Sequence, residues 1–206
     1  MPNKKKINSR NNKNREPINN NWGPGYTSMS FAVQPRPKPM HRFSRIVEER
    51  YDMTTDGINP TLSALVFTLD QLPDYADFTN LYQLYRIRKV RVEWTPEYTE
   101  LTDAALVSNA VNTYFNSALD QTNSSTPTSV QEVIQYQNCK STSITRKHER
   151  MVEVSALMNT MPCNCYISTQ SPSERHYGLK VAIAPTGVAM TFRSRATFYL
   201  ELCGAK

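Results

Sequence analysis

From Met190 to Leu202 apolar and polar residues alternate over thirteen positions. Met190, Phe192, Ala196, Phe198, Leu200 and Leu202 hold one parity, and Thr191, Arg193, Arg195, Thr197, Tyr199 and Glu201 hold the other. Ser194 alone breaks the apolar set. Successive side chains of a strand point to opposite faces, so the pattern predicts a strand with one face in a core. Val90, Val92 and Trp94, alternating with Arg91 and Glu93, predict a second such strand. It should start near Arg88, because Ile87 is out of phase with that set. Leu62 to Leu69 is a nearly continuous apolar run, as in a strand buried on both faces. Further strands are predicted over Arg42–Met53, Ala104–Phe115, Ile144–Val154, Cys163–Ser168 and Tyr177–Ala184.

The period changes in two places. Ala76, Phe78, Leu81, Tyr82 and Tyr85 recur every three or four residues behind Asp74, a candidate N-cap, which predicts a short helix over 74–84. Val130, Val133 and Ile134 predict another over Ser129–Tyr136. Asp56-Gly57, Asn59-Pro60 and Pro185-Thr186-Gly187 mark turns, and 116–128 and 169–176 read as loops. Eight strand candidates with two short helices in the connections predict an all-β fold, an eight-stranded antiparallel two-sheet sandwich or jelly roll.

No such pattern occupies residues 1–40. The opening MPNKKKINSRNNKNR contains Lys4, Lys5, Lys6, Arg10, Lys13 and Arg15 and no acid. Pro35, Pro37 and Pro39 alternate with Arg36, Lys38 and Met40, which forces an extended path. The division is therefore a disordered basic arm and linker over 1–40 and a folded domain over 41–206. Up to Val47 ten cations face one acid, about +9, while the other 14 cations face 17 acids, about −3, for a net +6. A mobile cationic arm on a mildly acidic body is suited to condensing on a polyanion, because each neutralised phosphate releases counterions. Lys4, Lys5, Lys6, Arg10, Lys13, Arg15, Arg36 and Lys38 are its candidate nucleic-acid contacts. Trp22, Tyr26 and Phe31 interrupt the segment, and docking onto the body accounts for them more simply than base stacking.

Catalytic signatures are missing. No glycine-rich phosphate loop and no nucleophile elbow is present. His148, between Lys147 and Glu149, reads as an exposed strand residue and not a general base. Cys163 and Cys165 are too close for common zinc spacing and share one face of a strand, so neither a metal nor a cofactor is expected. No apolar run of 18 residues and no apolar stretch behind the basic start are present. Membrane insertion and a secretory signal are therefore not expected, and reduced thiols are the default.

The stretch FTNLYQLYRIRKVRVEWTPEY, residues 78–98, resembles a segment of circovirus and cyclovirus capsid proteins, the coats of small circular single-stranded DNA viruses. Phe78, Leu81, Tyr82, Tyr85, Arg86, Ile87, Lys89, Val90 and Val92 occupy the positions of the family's phrase. TSVQEVIQYQNCKSTSITRKHERMVE is similar to the helix, loop and charged strand that follow. This arm is shorter than those of circoviruses, bears lysine and is rich in asparagine. The resemblance implies a non-enzymatic jelly-roll coat protein that self-assembles into an icosahedral shell of 60 subunits around a single-stranded DNA circle, with the arm inside. It further implies a place in the virion and, during assembly, in the host nucleus. The host receptor is not legible.

A coat protein of a small RNA virus would use the same arm and fold. A non-viral single-stranded nucleic-acid-binding barrel would need about five strands and a face of stacking aromatics. A β-sandwich lectin would have no use for the arm. On a jelly-roll plan the first and last strands are neighbours and the strand near 88–97 lies on the other side of the last. Arg91, Arg193 and Arg195 should then gather on one outer face, either paired with acids such as Glu93 and Glu201 or as inner-surface contacts with genome.

Overall fold

The computed structural model describes residues 40–97, 112–121, 123–158, 161–163 and 165–206. The arm and most of the expected strand over 104–115 lie outside them. The first sheet runs β1 (His41–Glu48), β12 (Met190–Ala205), β4 (Tyr82–Glu97), then β7 (His148–Glu153), all antiparallel. The second runs β3 (Thr61–Phe67), β11 (His176–Ile183), β5 (Tyr114–Leu119), then β6 (Lys140–Ser143), also antiparallel. These eight strands form the two layers of a jelly roll. Four short ones extend the margins: β2 (Met53–Thr55) on β12, β8 (Ser155–Met158) on β11, β9 (Met161–Cys163) on β8, and β10 (Ile167–Ser168) on β4.

The apolar parity of β12 faces the second sheet. Phe192, Phe198, Leu200 and Leu202 lie in one core with Val90, Val92 and Trp94 of β4 and with Phe67, Phe115, Leu179, Val181 and Ile183 of the other layer. Burial of this kind contributes about 1.5–3 kcal/mol for each large apolar side chain.

The out-of-phase Ile87 has a structural cause. β4 begins at Tyr82, six residues earlier than the alternation predicts, and helix α1 is shortened to Tyr75–Leu81. Leu200 pairs with Ile87 while Tyr199 pairs with Lys89, so Arg88 is an extra residue, a β-bulge. Tyr85 and Ile87 before it and Val90, Val92 and Trp94 after it are therefore all buried.

Ser194 is explained too. The strand predicted over 42–53 breaks at Glu49, whose φ is 62°. The Ser194 hydroxyl accepts from the Tyr51 amide at 2.9 Å and donates to Asp52 Oδ1 at 2.8 Å. A polar residue in the apolar row thus anchors the corner between β1 and β2. Nearby, Gly57 has φ 83°, and a Cβ there would sit 2.8 Å from the Val188 backbone.

Three other expectations change. β3 ends at Phe67 and among the described residues pairs only with β11, and it is half-buried over much of its length and not covered on both faces. β5 continues through Asn116 and Ser117 into the predicted loop, because its polar side chains find partners: Asn116 Oδ1 accepts from the Ser141 hydroxyl at 2.6 Å. The strand predicted over Ile144–Val154 is shortened to β7, because residues 144–147 form the turn that joins it to β6. Helix α2, Val130–Ile134, forms where predicted, with the Ser129 hydroxyl accepting from the Glu132 amide.

Helix α2 and its flanks cover the outer face of the second sheet. Ala118 and Ala182 on the strands meet Val133, with Leu62, Val130, Tyr136 and Cys139 around them. Under this cover lies Lys180, its side chain 1% exposed. Its ammonium is 3.1 Å from Asp120 Oδ2 and 3.7 Å from Glu132 Oε1, and donates to the Tyr136 hydroxyl at 3.1 Å. Burial works against the charge, but the hydrogen bonds with Tyr136 and Asp120 outweigh it and hold the Lys180 pKa above the ordinary value.

Candidate nucleic-acid interface

Lys4, Lys5, Lys6, Arg10, Lys13, Arg15, Arg36 and Lys38 lie outside the described residues. Arg91, Arg193 and Arg195 are on the outer face of the first sheet. Their strands are adjacent in register, with Arg195 opposite Glu93 and Arg193 opposite Thr95. Each meets acids. Arg193 reaches Glu97 at 2.8 Å and Asp52 at 3.0 Å, and hydrogen bonds to these carboxylates raise its pKa. Arg91 reaches Glu149 and Glu93, each at 2.8 Å, and Lys147 joins Glu93 at 2.8 Å. Arg195 is 3.7 Å from Glu48. At this end of the face Arg91, Lys147, Arg193 and Arg195 meet six carboxylates: Glu48, Glu49, Asp52, Glu93, Glu97 and Glu149.

The opposite end has the reverse balance. Glu201 is the polar-parity residue of β12 nearest the point where residues 1–39 join β1, and its side chain is 1% exposed. Arg42 and Arg88 each approach its Oε1 at 3.2 Å, and Arg86 Nε donates to Oε2 at 3.1 Å. The Tyr166 hydroxyl donates to Oε2 at 3.2 Å. Burial pushes the Glu201 carboxyl pKa up, but the Arg86 hydrogen bond and charge, with help from Tyr166 and Arg88, hold it below the ordinary value. Three guanidiniums thus share one carboxylate. Sequence reading singled out Glu201 as an acid for the Arg193 side; the structure gives it to Arg42, Arg86 and Arg88. The phase slip between Ile87 and Val90 was the available signal for this group.

His148 is buried, not exposed as expected. It stacks on Phe115 with ring centroids 4.5 Å apart. Nε2 is 2.7 Å from the Ser117 hydroxyl and Nδ1 is 2.9 Å from the Thr142 hydroxyl, tying β5, β6 and β7 together. Burial, with the Lys140 and Arg150 charges, pushes its pKa down to about 3, so near neutral pH it is a neutral core histidine. The expectation of reduced thiols fails at Cys165, which is disulfide-bonded, whereas Cys139 and Cys203 are free. Among the described residues no three His, Cys, Asp or Glu side chains converge as a metal site.

Two antiparallel four-stranded layers, with the first and last strands adjacent and a basic segment entering at the first, define a coat protein of the viral jelly-roll class. The Circovirus capsid protein family model matches residues 31–204, and the chain belongs to that family. Its role is accordingly structural and non-enzymatic, as a component of the virion. The decameric form of the BFDV capsid protein is similar with a TM-score of 0.58 and 14% identity, covering 81% of this chain and 100% of that one. Its 60-mer form gives 0.55 and 13%, covering 80% and 94%. The structure of Mud crab tombus-like virus gives 0.54 and 12%, covering 87% and 95%. At these identities the likeness is one of fold. No curated protein sequence matches the chain.

Proposed function

We propose that copies of this chain assemble into a closed icosahedral shell of 60 subunits that packages single-stranded circular DNA. The observation that carries this reading is the segregation of charge, about +9 up to Val47 against about −3 beyond it, on a chain of the circovirus capsid family. Residues 1–40 act as a mobile cationic arm and 41–206 as the shell domain. Lys4, Lys5, Lys6, Arg10, Lys13, Arg15, Arg36 and Lys38 neutralise phosphates without reading sequence. Many arms act on one genome, so weak contacts sum to firm retention. Assembly takes place in the host nucleus, a reading the basic arm and the circovirus capsid family support. The 60-mer described for the BFDV capsid protein, similar in fold, supports the subunit number.

The test compares the full chain with one starting at Arg42. The truncated chain should fold, since the described core lies beyond that point. Loss of roughly six to eight phosphate contacts should lower the slope of log affinity against log salt by about five. An unchanged slope would remove the arm from genome binding. Shells of the full chain should appear by negative-stain microscopy and yield nucleic acid that DNase digests and RNase does not. RNase-sensitive content would point to the RNA-virus alternative.

A further inference from the structure

The bulge at Arg88 has a consequence for charge. Ile87 and Val90 both point into the core, so the two residues between them, Arg88 and Lys89, both reach the outer face. A regular strand would have sent one of them inward. Together with Arg42 they line a recess of about 460 Å³, whose other walls are Phe43, Ser44, Tyr199 and Leu200 with the acids Glu153 and Glu201. Arg42 and Arg88 keep 66% and 50% of their side-chain surface exposed although both touch Glu201. Lys89 lies over the Tyr199 ring at 4.9 Å and, among the described residues, has no ion pair. Arg42, Arg86, Arg88 and Lys89 against Glu153 and Glu201 leave an excess of two positive charges. The six acids around Arg91, Lys147, Arg193 and Arg195 leave the other end of the same face without such an excess. Arg42 is also the second residue of β1, so the recess adjoins the point where residues 1–39 are joined to the body.

We propose that this recess is a phosphate site for single-stranded nucleic acid on the shell domain, with Arg42, Arg88 and Lys89 holding the backbone of a strand that the arm has gathered. It rests on the packaging role given above. Glu201 acts here as a positioning residue: one buried carboxylate fixes the guanidiniums of Arg42 and Arg88, whose side chains stay half exposed or more and can meet an anion. The walls offer no row of base-edge readers, so the site is indifferent to sequence.

The test measures binding of a single-stranded DNA oligonucleotide across a salt series. Four full-length proteins are compared: the unmodified chain, Arg88→Gln/Lys89→Gln, Arg193→Gln/Arg195→Gln, and a chain with Lys4, Lys5, Lys6, Arg10, Lys13 and Arg15 changed to Gln. Arg42 and Arg86 are kept so that Glu201 retains partners. The Arg88/Lys89 variant should lower the log–log salt slope by about 1.4, from two contacts on a single strand, with its thermal midpoint unchanged. The Arg193/Arg195 variant should leave the slope as it was. If the Arg88/Lys89 slope equals that of the unmodified chain, the proposal is overturned whatever the arm variant does. Equal losses in the two double variants overturn it as well, since they would reflect net charge and not a site. An arm variant with unchanged slope overturns the arm's role and leaves the recess to stand on its own result. Should the double variant not fold, Lys89→Gln alone serves, with an expected slope change of about 0.7.

Discussion

Lys180→Met removes a buried ammonium while keeping the length of the side chain. In the folded protein that ammonium sits 3.1 Å from Asp120, whose side chain is 7% exposed, beneath the cover formed by α2 and its flanks. With the lysine gone Asp120 keeps the Tyr136 hydroxyl, which donates to its Oδ2 at 2.7 Å, and the Asn123 amide, which donates to Oδ1 at 3.1 Å, but it loses the ammonium beside it. Glu132 is less affected, being 32% exposed and accepting from the Thr128 amide at 2.7 Å. The cost is therefore mainly the loss of the ammonium beside a carboxylate in a poorly solvated place, about 3–5 kcal/mol when one partner of a buried pair is deleted. For a body of this size that corresponds to a fall in thermal midpoint of about 6–20 °C. The assay is thermal unfolding of the subunit, repeated on Lys180→Met/Asp120→Asn. The second change removes the Asp120 charge but leaves an acceptor for Tyr136, so most of the loss should return. Amide exchange over 123–139 should rise in the single variant and recover in the double one. A single variant with an unmoved midpoint would refute the claim that Lys180 pins the cover. A double variant as unstable as the single one would refute the attribution to the Asp120 charge.

Phe198→Ala, at a fully buried ring that meets Phe67 edge-on at 5.9 Å, should cost about 3–5 kcal/mol in urea unfolding; an unmoved midpoint would refute the facing of β12. His148 has a folded pKa of about 3 against an ordinary 6.5, so between these values the unfolded chain binds a proton that the folded one does not. Its contribution is complete above pH 6.5 and is lost as pH falls towards 3, by up to about 1.4 kcal/mol per pH unit; His148→Gln should flatten that part of the profile, and an identical profile would refute it. Arg193→Gln/Arg195→Gln breaks exposed, solvent-screened ion pairs, so shells should form with unchanged DNA content and a midpoint only slightly lower; a loss of DNA per shell would show that these arginines touch the genome.

The alternation in β12 and in the second half of β4 was legible because a strand with one buried face writes its period directly into the sequence. So was the segregation of charge. The amino acids along 190–202 by themselves determine which side chains enter the core, and MPNKKKINSRNNKNR by itself lacks the apolar content to form one. What lay beyond the sequence depends on partners far along the chain. Ser194 looked like a flaw in an apolar row until Asp52 and the Tyr51 amide were brought to it by the corner after β1. His148 looked exposed among charged neighbours, but Phe115, Ser117 and Thr142 arrive from two other strands to bury and satisfy it. Lys180 gave no sign at all, because its burial is decided by a segment more than 40 residues earlier that folds over it. Arg88 and Lys89 share a face only because Leu200 and Tyr199 set a register that leaves one residue over. Periodicity reports a local property, the side of the backbone on which a residue falls. Burial of a polar group and the sharing of one carboxylate by three arginines are properties of the pairing between strands, and only the tertiary structure decides them.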